Sequence, residues 1–316
     1  MTSLIEKAVA RLDTLKRAVG ELSGFPPDAV PGALPADDAP LLPDRGRAVV
    51  EIPVSREVEI NIRRLIQRGM VTPNLPRSRI AEEFRLIKRP LLKNATASGV
   101  PGVENGSLIM VTSSLPGEGK SFTAINLAIS IAMEMDYRVL LVDADVARPS
   151  VLNRLGLPPE RGLMDVLAGD VSSLSEVILR TNIEKFSLLS AGMPHARATE
   201  MLASDAMVQL LEQMVTRYAN RIIVFDSPPL LVTTEARVLA THMGQIIVVV
   251  EAAKTTHGTV KQALATIESC PVKMMVLNKA RETNVGGYGY RYGYGYGRGR
   301  GKSRHGPSSK DDKHAR

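Results

Sequence analysis

The chain has 316 residues, 44% of them hydrophobic, and a single cysteine, Cys270. That excludes an intramolecular disulfide and argues against a cysteine-ligated zinc or iron–sulfur centre within one chain. The net charge is +7, but residues 285–316 hold eight Lys/Arg against two Asp, which leaves the other 284 residues near neutral at +1; a basic body built for nucleic acid is thereby excluded.

No apolar run reaches the ~18 residues of a membrane span, and the charged start "MTSLIEKAVARLDTLKRAVGEL" lacks a signal-peptide core. The expected location is cytoplasmic. Within residues 1–23, Leu4, Ile5, Ala8, Val9, Leu12, Leu15, Val19 and Leu22 recur at helical spacing among Lys, Arg and Glu. They define an amphipathic helix able to pack on its own domain, a partner or a membrane surface. Residues 24–54 read as a linker, with seven prolines among Asp, Ala and Gly. A charged, mostly helical lead-in over 55–95 opens a domain expected to run to residue 284.

From residue 107 the pattern alternates. Strands are predicted at 107–112, 138–143, 186–191, 221–226, 245–251 and 273–278, and helices at 119–134, 199–219, 233–242 and 256–268. Short Val/Ile/Leu-rich strands between helices predict a doubly wound, mostly parallel sheet covered on both faces. The tail 285–316 is low in complexity and predicted to be disordered. It nevertheless holds Tyr288, Tyr290, Tyr292, Tyr294 and Tyr296, five of the twelve aromatic residues in the chain.

The stretch "LIMVTSSLPGEGKSFTAINLAISIA" has the order strand, glycine-rich turn, helix. Gly117, Glu118, Gly119, Lys120, Ser121 and Phe122 occupy the end of a P-loop. Successive backbone N–H groups at a helix start can surround phosphate oxygens; the lysine reaches the β- and γ-phosphates and the serine hydroxyl ligates Mg²⁺. The Gly301-Lys302-Ser303 triplet in the tail has no flanking strand or helix and is accidental. Ser114 stands where the motif has its first glycine, and Phe122 where a second hydroxyl is common. Two further strands end in acids: "RVLLVDADVARPS" in Asp143 and Asp145, followed by Arg148, and "RIIVFDSPPLL" in Asp226. Ligands of doubly wound sheets bind beyond the carboxyl ends of the strands, so all three acids should face the P-loop crevice. Strand-end aspartates can also merely cap the next turn. A phenol acceptor, with a pKa near 10, gains from a neighbouring carboxylate that takes its proton.

The motifs "PGEGKS", "LLVDADVARPS" and "IIVFDSPPLL", with "GLMDVLAG" and "LLSAGMPHARATEMLAS", resemble in order and spacing those of the bacterial protein-tyrosine kinases, the polysaccharide-associated autokinases. The start "SLIEKAVARLD" is similar to the exosortase-associated branch. The resemblance covers roughly residues 78–284 and implies a P-loop NTPase fold that uses ATP and Mg²⁺. It implies phosphorylation of the C-terminal tyrosine cluster between neighbouring subunits of a homo-oligomer. It also implies a membrane polysaccharide co-polymerase (chain-length determinant) as partner, a peripheral position at the inner face of the cytoplasmic membrane, and control of exopolysaccharide synthesis or export. Carried onto this chain, Lys120 and Ser121 bind phosphate and metal. Asp143 is the base or a metal-side carboxylate, Asp145 supports the metal, and Asp226 holds Mg²⁺ through water. Glu82, Arg85 and Lys88 correspond to a helix motif that contacts the adjacent subunit, with lysine in place of its last arginine. The tyrosines then become phosphoacceptors on a flexible glycine-rich segment.

The alternative is a partitioning-type P-loop ATPase switch without kinase activity. Such proteins carry a signature lysine five positions before the P-loop lysine, where this chain has Leu115, and they need no tyrosine tail. Arg/Gly/Tyr tails can bind nucleic acid, but the near-neutral body argues against that partner. An inactive kinase marked by Ser114 and Phe122 is disfavoured, because backbone amides do most of the phosphate cradling.

Overall fold

The structure is a computed structural model that describes residues 56–96, 103–217 and 221–280. The segments 1–23, 24–54 and 285–316, with all five tail tyrosines, lie outside the described residues.

Eight strands form one sheet: β1 (Glu57–Val58), β2 (Leu108–Ser113), β3 (Arg138–Asp143), β4 (Leu179–Thr181), β5 (Phe186–Leu189), β6 (Arg221–Asp226), β7 (Gln245–Glu251) and β8 (Val272–Asn278). Their order is β1-β4-β5-β3-β6-β2-β7-β8. Every pairing is parallel except β4 with β5. The central strands are apolar nearly throughout because both faces are covered, and alternate residues feed two separate cores. Met110, Leu140, Val142, Ile223, Phe225 and Val248 face one side, while Ile109, Val111, Leu141, Val224 and Ile247 face the other.

The second core is roofed by α3 (Lys120–Ala132), buried along nearly its whole length. A helix apolar all round must be covered on two sides, and here the outer cover is α2 (Arg79–Ala95). Its N-cap Ser78 accepts from the Ala81 N–H, and its inward stripe is Ala81, Phe84, Lys88, Leu91 and Leu92. Buried side chains fasten the lead-in. Asn126 of α3 accepts from the Val71 N–H at 2.6 Å. Gln245, fully buried at the start of β7, donates to the Leu91 and Gly106 carbonyls and accepts from Asn94. The first core is closed by α5 (Leu163–Ala168), α7 (Ala198–Leu202), α8 (Asp205–Arg217), α9 (Glu235–Ala240) and α10 (His257–Ala265). The remaining helices are α1 (Ile62–Gln67), which precedes α2, and α4 (Val151–Leu155) and α6 (Leu174–Val177).

Several expectations need correction. The helix predicted over 199–219 is two helices, broken where Ser204 Oγ donates back to the Met201 carbonyl. The lead-in is mostly helical, as expected, and adds a short strand that was not predicted: β1 pairs with β4, and Asn182 exchanges two hydrogen bonds with the Ile60 backbone. The short strand β4 was not predicted, and it supplies the single antiparallel pairing among the described strands.

Candidate nucleotide and phosphoryl-transfer site

The P-loop turn joins β2 to α3 at the carboxyl end of the sheet. Gly117 (φ 87°) and Gly119 (φ 104°) lie in the left-handed region, where glycine is strain-free. A Cβ on Gly119 would stand 2.0 Å from Asn278 Nδ2, so glycine is required there twice over. Ser114 is not among the positive-φ residues, and the missing first glycine therefore costs no backbone strain. The turn is braced from β8 and the loop after β7. Asn278 donates to the Glu118 carbonyl at 2.8 Å, and Lys279 Nζ to the Gly117 carbonyl at 2.7 Å. Glu118 points inward, 2% exposed, accepting from the Leu115 N–H at 2.6 Å and from the Thr255 hydroxyl. Its carboxylate is thus a brace for the loop, and only its backbone remains to serve a phosphate. Phe122 packs against the core below α3, which leaves its first-turn N–H as its sole means of touching an anion.

Asp143 and Asp226 are register partners at the ends of adjacent parallel strands. Asp143 Oδ2 accepts from the Ser150 and Val151 N–H groups, both at 2.9 Å, while Oδ1 is buried without a partner. Asp226 is fully buried and neither oxygen accepts a hydrogen bond. Its carboxyl is pushed up to about 7, first by burial and then by the negative charge of Asp143; Lys120 and the nearby Ser121 hydroxyl pull the other way. The Ser121 hydroxyl is nevertheless not within hydrogen-bonding geometry of either Asp226 oxygen. Asp143 is pushed up to about 6, again first by burial. Two buried acids side by side resist ionising together, so this end of the sheet is primed to attract a cation.

Lys120, at the first turn of α3, pairs with Asp145 Oδ2 at 2.5 Å, both side chains nearly buried. Asp145 Oδ1 caps the Arg148 N–H at 3.2 Å, and Arg148 itself is exposed. Asp145, expected to support the metal, holds the lysine in this structure. Ser121 Oγ accepts from Ser150 Oγ at 3.0 Å. Lys120, Ser121, Asp143, Asp145 and Asp226 are therefore brought to one end of three adjacent strands, β2, β3 and β6. Sequence reasoning missed Ser150, whose backbone and hydroxyl touch both halves of this cluster. It also missed the braces Thr255, Asn278 and Lys279; an asparagine closing an apolar strand was the available signal.

The adjacent-subunit motif is divided. Glu82 and Arg85 pair with each other on the exposed face of α2. Lys88 does not join them: it turns inward, 4% exposed, donating to the Ser130 carbonyl and pairing with Glu134 at 2.8 Å. Burial lowers its pKa while Glu134 opposes that shift. Arg89 is the exposed cation at this point of the helix.

Among the described residues no group of three or more His, Cys, Asp or Glu is arranged to hold a metal alone. Mg²⁺ has no need of such a cage, since it binds through one or two carboxylates, waters and substrate phosphates. The donors here, Ser121 Oγ and the unpartnered Asp226 oxygens, are hard oxygens and fit it.

A glycine-bridged turn at the head of a buried helix, a lysine at the first position of that helix and two strand-end acids define a P-loop NTPase-like α/β domain. The chain belongs to the AAA domain family, which matches residues 106–279. It is 29% identical over 210 residues to the tyrosine-protein kinase YwqD of Bacillus subtilis, covering 66% of this chain and 84% of that one. It is 31% identical over 222 residues to the succinoglycan biosynthesis transport protein ExoP of Rhizobium meliloti, covering 69% of this chain and 27% of that one. Among solved structures, the kinase domain of the Escherichia coli tyrosine kinase ETK matches with a TM-score of 0.59 at 26% identity, over 76% of this chain and 95% of that one. The resemblance to bacterial tyrosine kinases read from the motifs is thus borne out. The chain spans only 22% to 27% of the longer curated relatives it matches.

Proposed function

We propose that this chain is a Mg²⁺- and ATP-dependent protein-tyrosine autokinase. It transfers the γ-phosphoryl group to Tyr288, Tyr290, Tyr292, Tyr294 and Tyr296 of a neighbouring copy. The observation that carries this reading is the convergence of Lys120, Ser121, Asp143 and Asp226 at one end of the sheet.

In this reading the Gly117–Phe122 backbone and Lys120 seat the triphosphate, Lys120 trading part of its bond to Asp145 for phosphate oxygens. Mg²⁺, held near Ser121 and Asp226, would supply neutralisation of the charge on the β- and γ-phosphates. Asp143 takes the phenolic proton on Oδ1, the oxygen without a partner, while Oδ2 stays fixed by Ser150 and Val151. The tyrosine oxygen forms a bond to phosphorus as the bond to the ADP oxygen breaks. A carboxyl raised toward neutrality suits this task better than one at 4.

The name of one relative, a succinoglycan biosynthesis transport protein, supports a role in exopolysaccharide synthesis or export; a membrane polysaccharide co-polymerase as activating partner and a peripheral position on the cytoplasmic membrane are proposed from the motif resemblance. Among the described residues no helix is long and apolar enough to cross a membrane. Glu82 and Arg85, with Arg89 in the position that Lys88 vacates, are proposed to contact the neighbouring copy.

A mixing experiment tests transfer between copies. Lys120→Ala protein with an intact tail is incubated with five-fold Tyr→Phe protein and ATP·Mg²⁺. Phosphotyrosine on the Lys120→Ala tail supports the proposal; ATP turnover with no modified tail refutes it.

A further inference from the structure

Strands β3 and β6 carry the same charge pattern, Arg138-VLLV-Asp143 and Arg221-IIVF-Asp226. They pair in register, so Arg138 neighbours Arg221 at one end as Asp143 neighbours Asp226 at the other. Like charges directly opposite on adjacent strands are unfavourable. At the acid end the positive charge of Lys120 partly offsets them. The arginine end lies five residues along the strands, about 16 Å away at ~3.3 Å per residue, where the nucleotide chemistry has no use for it.

A cavity of about 390 Å³ opens at this end, lined by both arginines, by Arg180 of β4 and by Lys185. Ile183 and Phe186 lie in its wall but belong to the core, 3% and 2% exposed. Glu57 and Glu184 also line it, leaving a net charge of +2. Arg138 and Arg180 are exposed, and neither makes an ion pair among the described residues. Lys185 is held in place: its backbone is left-handed (φ 64°), and its ammonium donates to the Glu134 and Met135 carbonyls at 3.2 and 3.0 Å. A non-glycine residue in that conformation is strained and tends to mark a functional position.

We propose that this cavity binds a phosphomonoester dianion at a site separate from the nucleotide crevice. Guanidinium groups present planar forks matched to phosphate oxygens. A net charge of +2 balances a dianion, and Glu57 and Glu184 select against larger polyanions. The volume falls in the range of small-molecule sites, ~300–1,000 Å³, so there is room for an organic ester group beside the phosphate. The site stands on its own geometry and does not depend on the kinase reading.

Isothermal titration calorimetry on the full chain tests it at pH 8, where the ester is doubly ionised, with inorganic phosphate and phenyl phosphate as probes. Gly119→Ala protein is used, because a Cβ there would stand 2.0 Å from Asn278 and spoil the P-loop turn, so that its amides do not compete. Saturable binding to one site is expected. Arg138→Gln with Arg180→Gln in that background should weaken it at least tenfold, the least that one charge-assisted hydrogen bond contributes, and Glu57→Gln should tighten it. Stronger binding of phenyl phosphate assigns an aryl ester as the occupant, and equal affinities assign free phosphate; either supports the site. Absence of saturable binding by both probes overturns it, as does affinity unchanged in a folded double-arginine variant. Should that variant fail to fold, unchanged affinity in Glu57→Gln overturns it instead.

Discussion

Replacing Asp226 by asparagine should make the protein more stable at alkaline pH while abolishing its activity. In the unfolded chain this carboxyl ionises near 3.8, and in the fold, buried with no hydrogen bond to either oxygen, near 7. Between those values the folded state holds a proton that the unfolded state releases, so stability is full at low pH and declines as pH rises toward 7. A shift of about three units corresponds to roughly 4 kcal/mol, an upper bound. The asparagine amide would itself be buried without partners, at a cost of about 1–3 kcal/mol, leaving a net gain of about 1–3 kcal/mol above pH 7. Urea unfolding of both proteins at pH 5.5 and 8.5 measures this. Wild type should lose stability between the two, and Asp226→Asn should lose clearly less. Asp143, raised for the same reason, accounts for the pH dependence that persists. Equal losses in the two proteins, or a variant weaker than wild type at pH 8.5, would refute the reasoning that charge burial destabilises this end of the sheet.

Gly119→Ala should abolish ATP binding, measured by a fluorescent analogue, because its Cβ meets Asn278 at 2.0 Å in a backbone conformation alanine resists. Lys88→Ala should cost about 1–3 kcal/mol in urea unfolding by opening a void and leaving Glu134 only the more distant Arg89, and Lys88→Met should recover part of that loss. Arg85→Ala with Arg89→Ala should shift self-association in sedimentation, whereas Lys88→Met should leave it unchanged. Asn278→Ala, which frees the Glu118 carbonyl, should weaken ATP binding roughly tenfold. Unchanged affinity there would show that the loop does not rely on this brace.

The parts of the fold legible in the sequence were those written locally. Strands β3, β6 and β7 have the bounds predicted because each is an apolar run closed by charged or polar residues. The P-loop was legible for the same reason, since strand, turn and helix are contiguous. What escaped was short or distant. β4 spans only Leu179–Thr181 and owes its place to its partners, and helices of four to six residues are too brief for a period to show. The braces from Thr255 and Asn278 to Glu118 link residues 137 and 160 positions apart, which no local pattern records. The inward turn of Lys88 was readable in hindsight: it sits on the stripe of Ala81, Phe84, Leu91 and Leu92. Reading it as an oligomer contact put motif spacing above helical face.

The most direct test incubates the full-length chain with γ-labelled ATP and Mg²⁺ and maps the label by mass spectrometry, with Lys120→Ala alongside. Label on residues 288–296 of the wild-type chain, and none on Lys120→Ala incubated alone, is the predicted result. Equal labelling of both proteins, or ADP formed with every tail tyrosine unmodified, would contradict it.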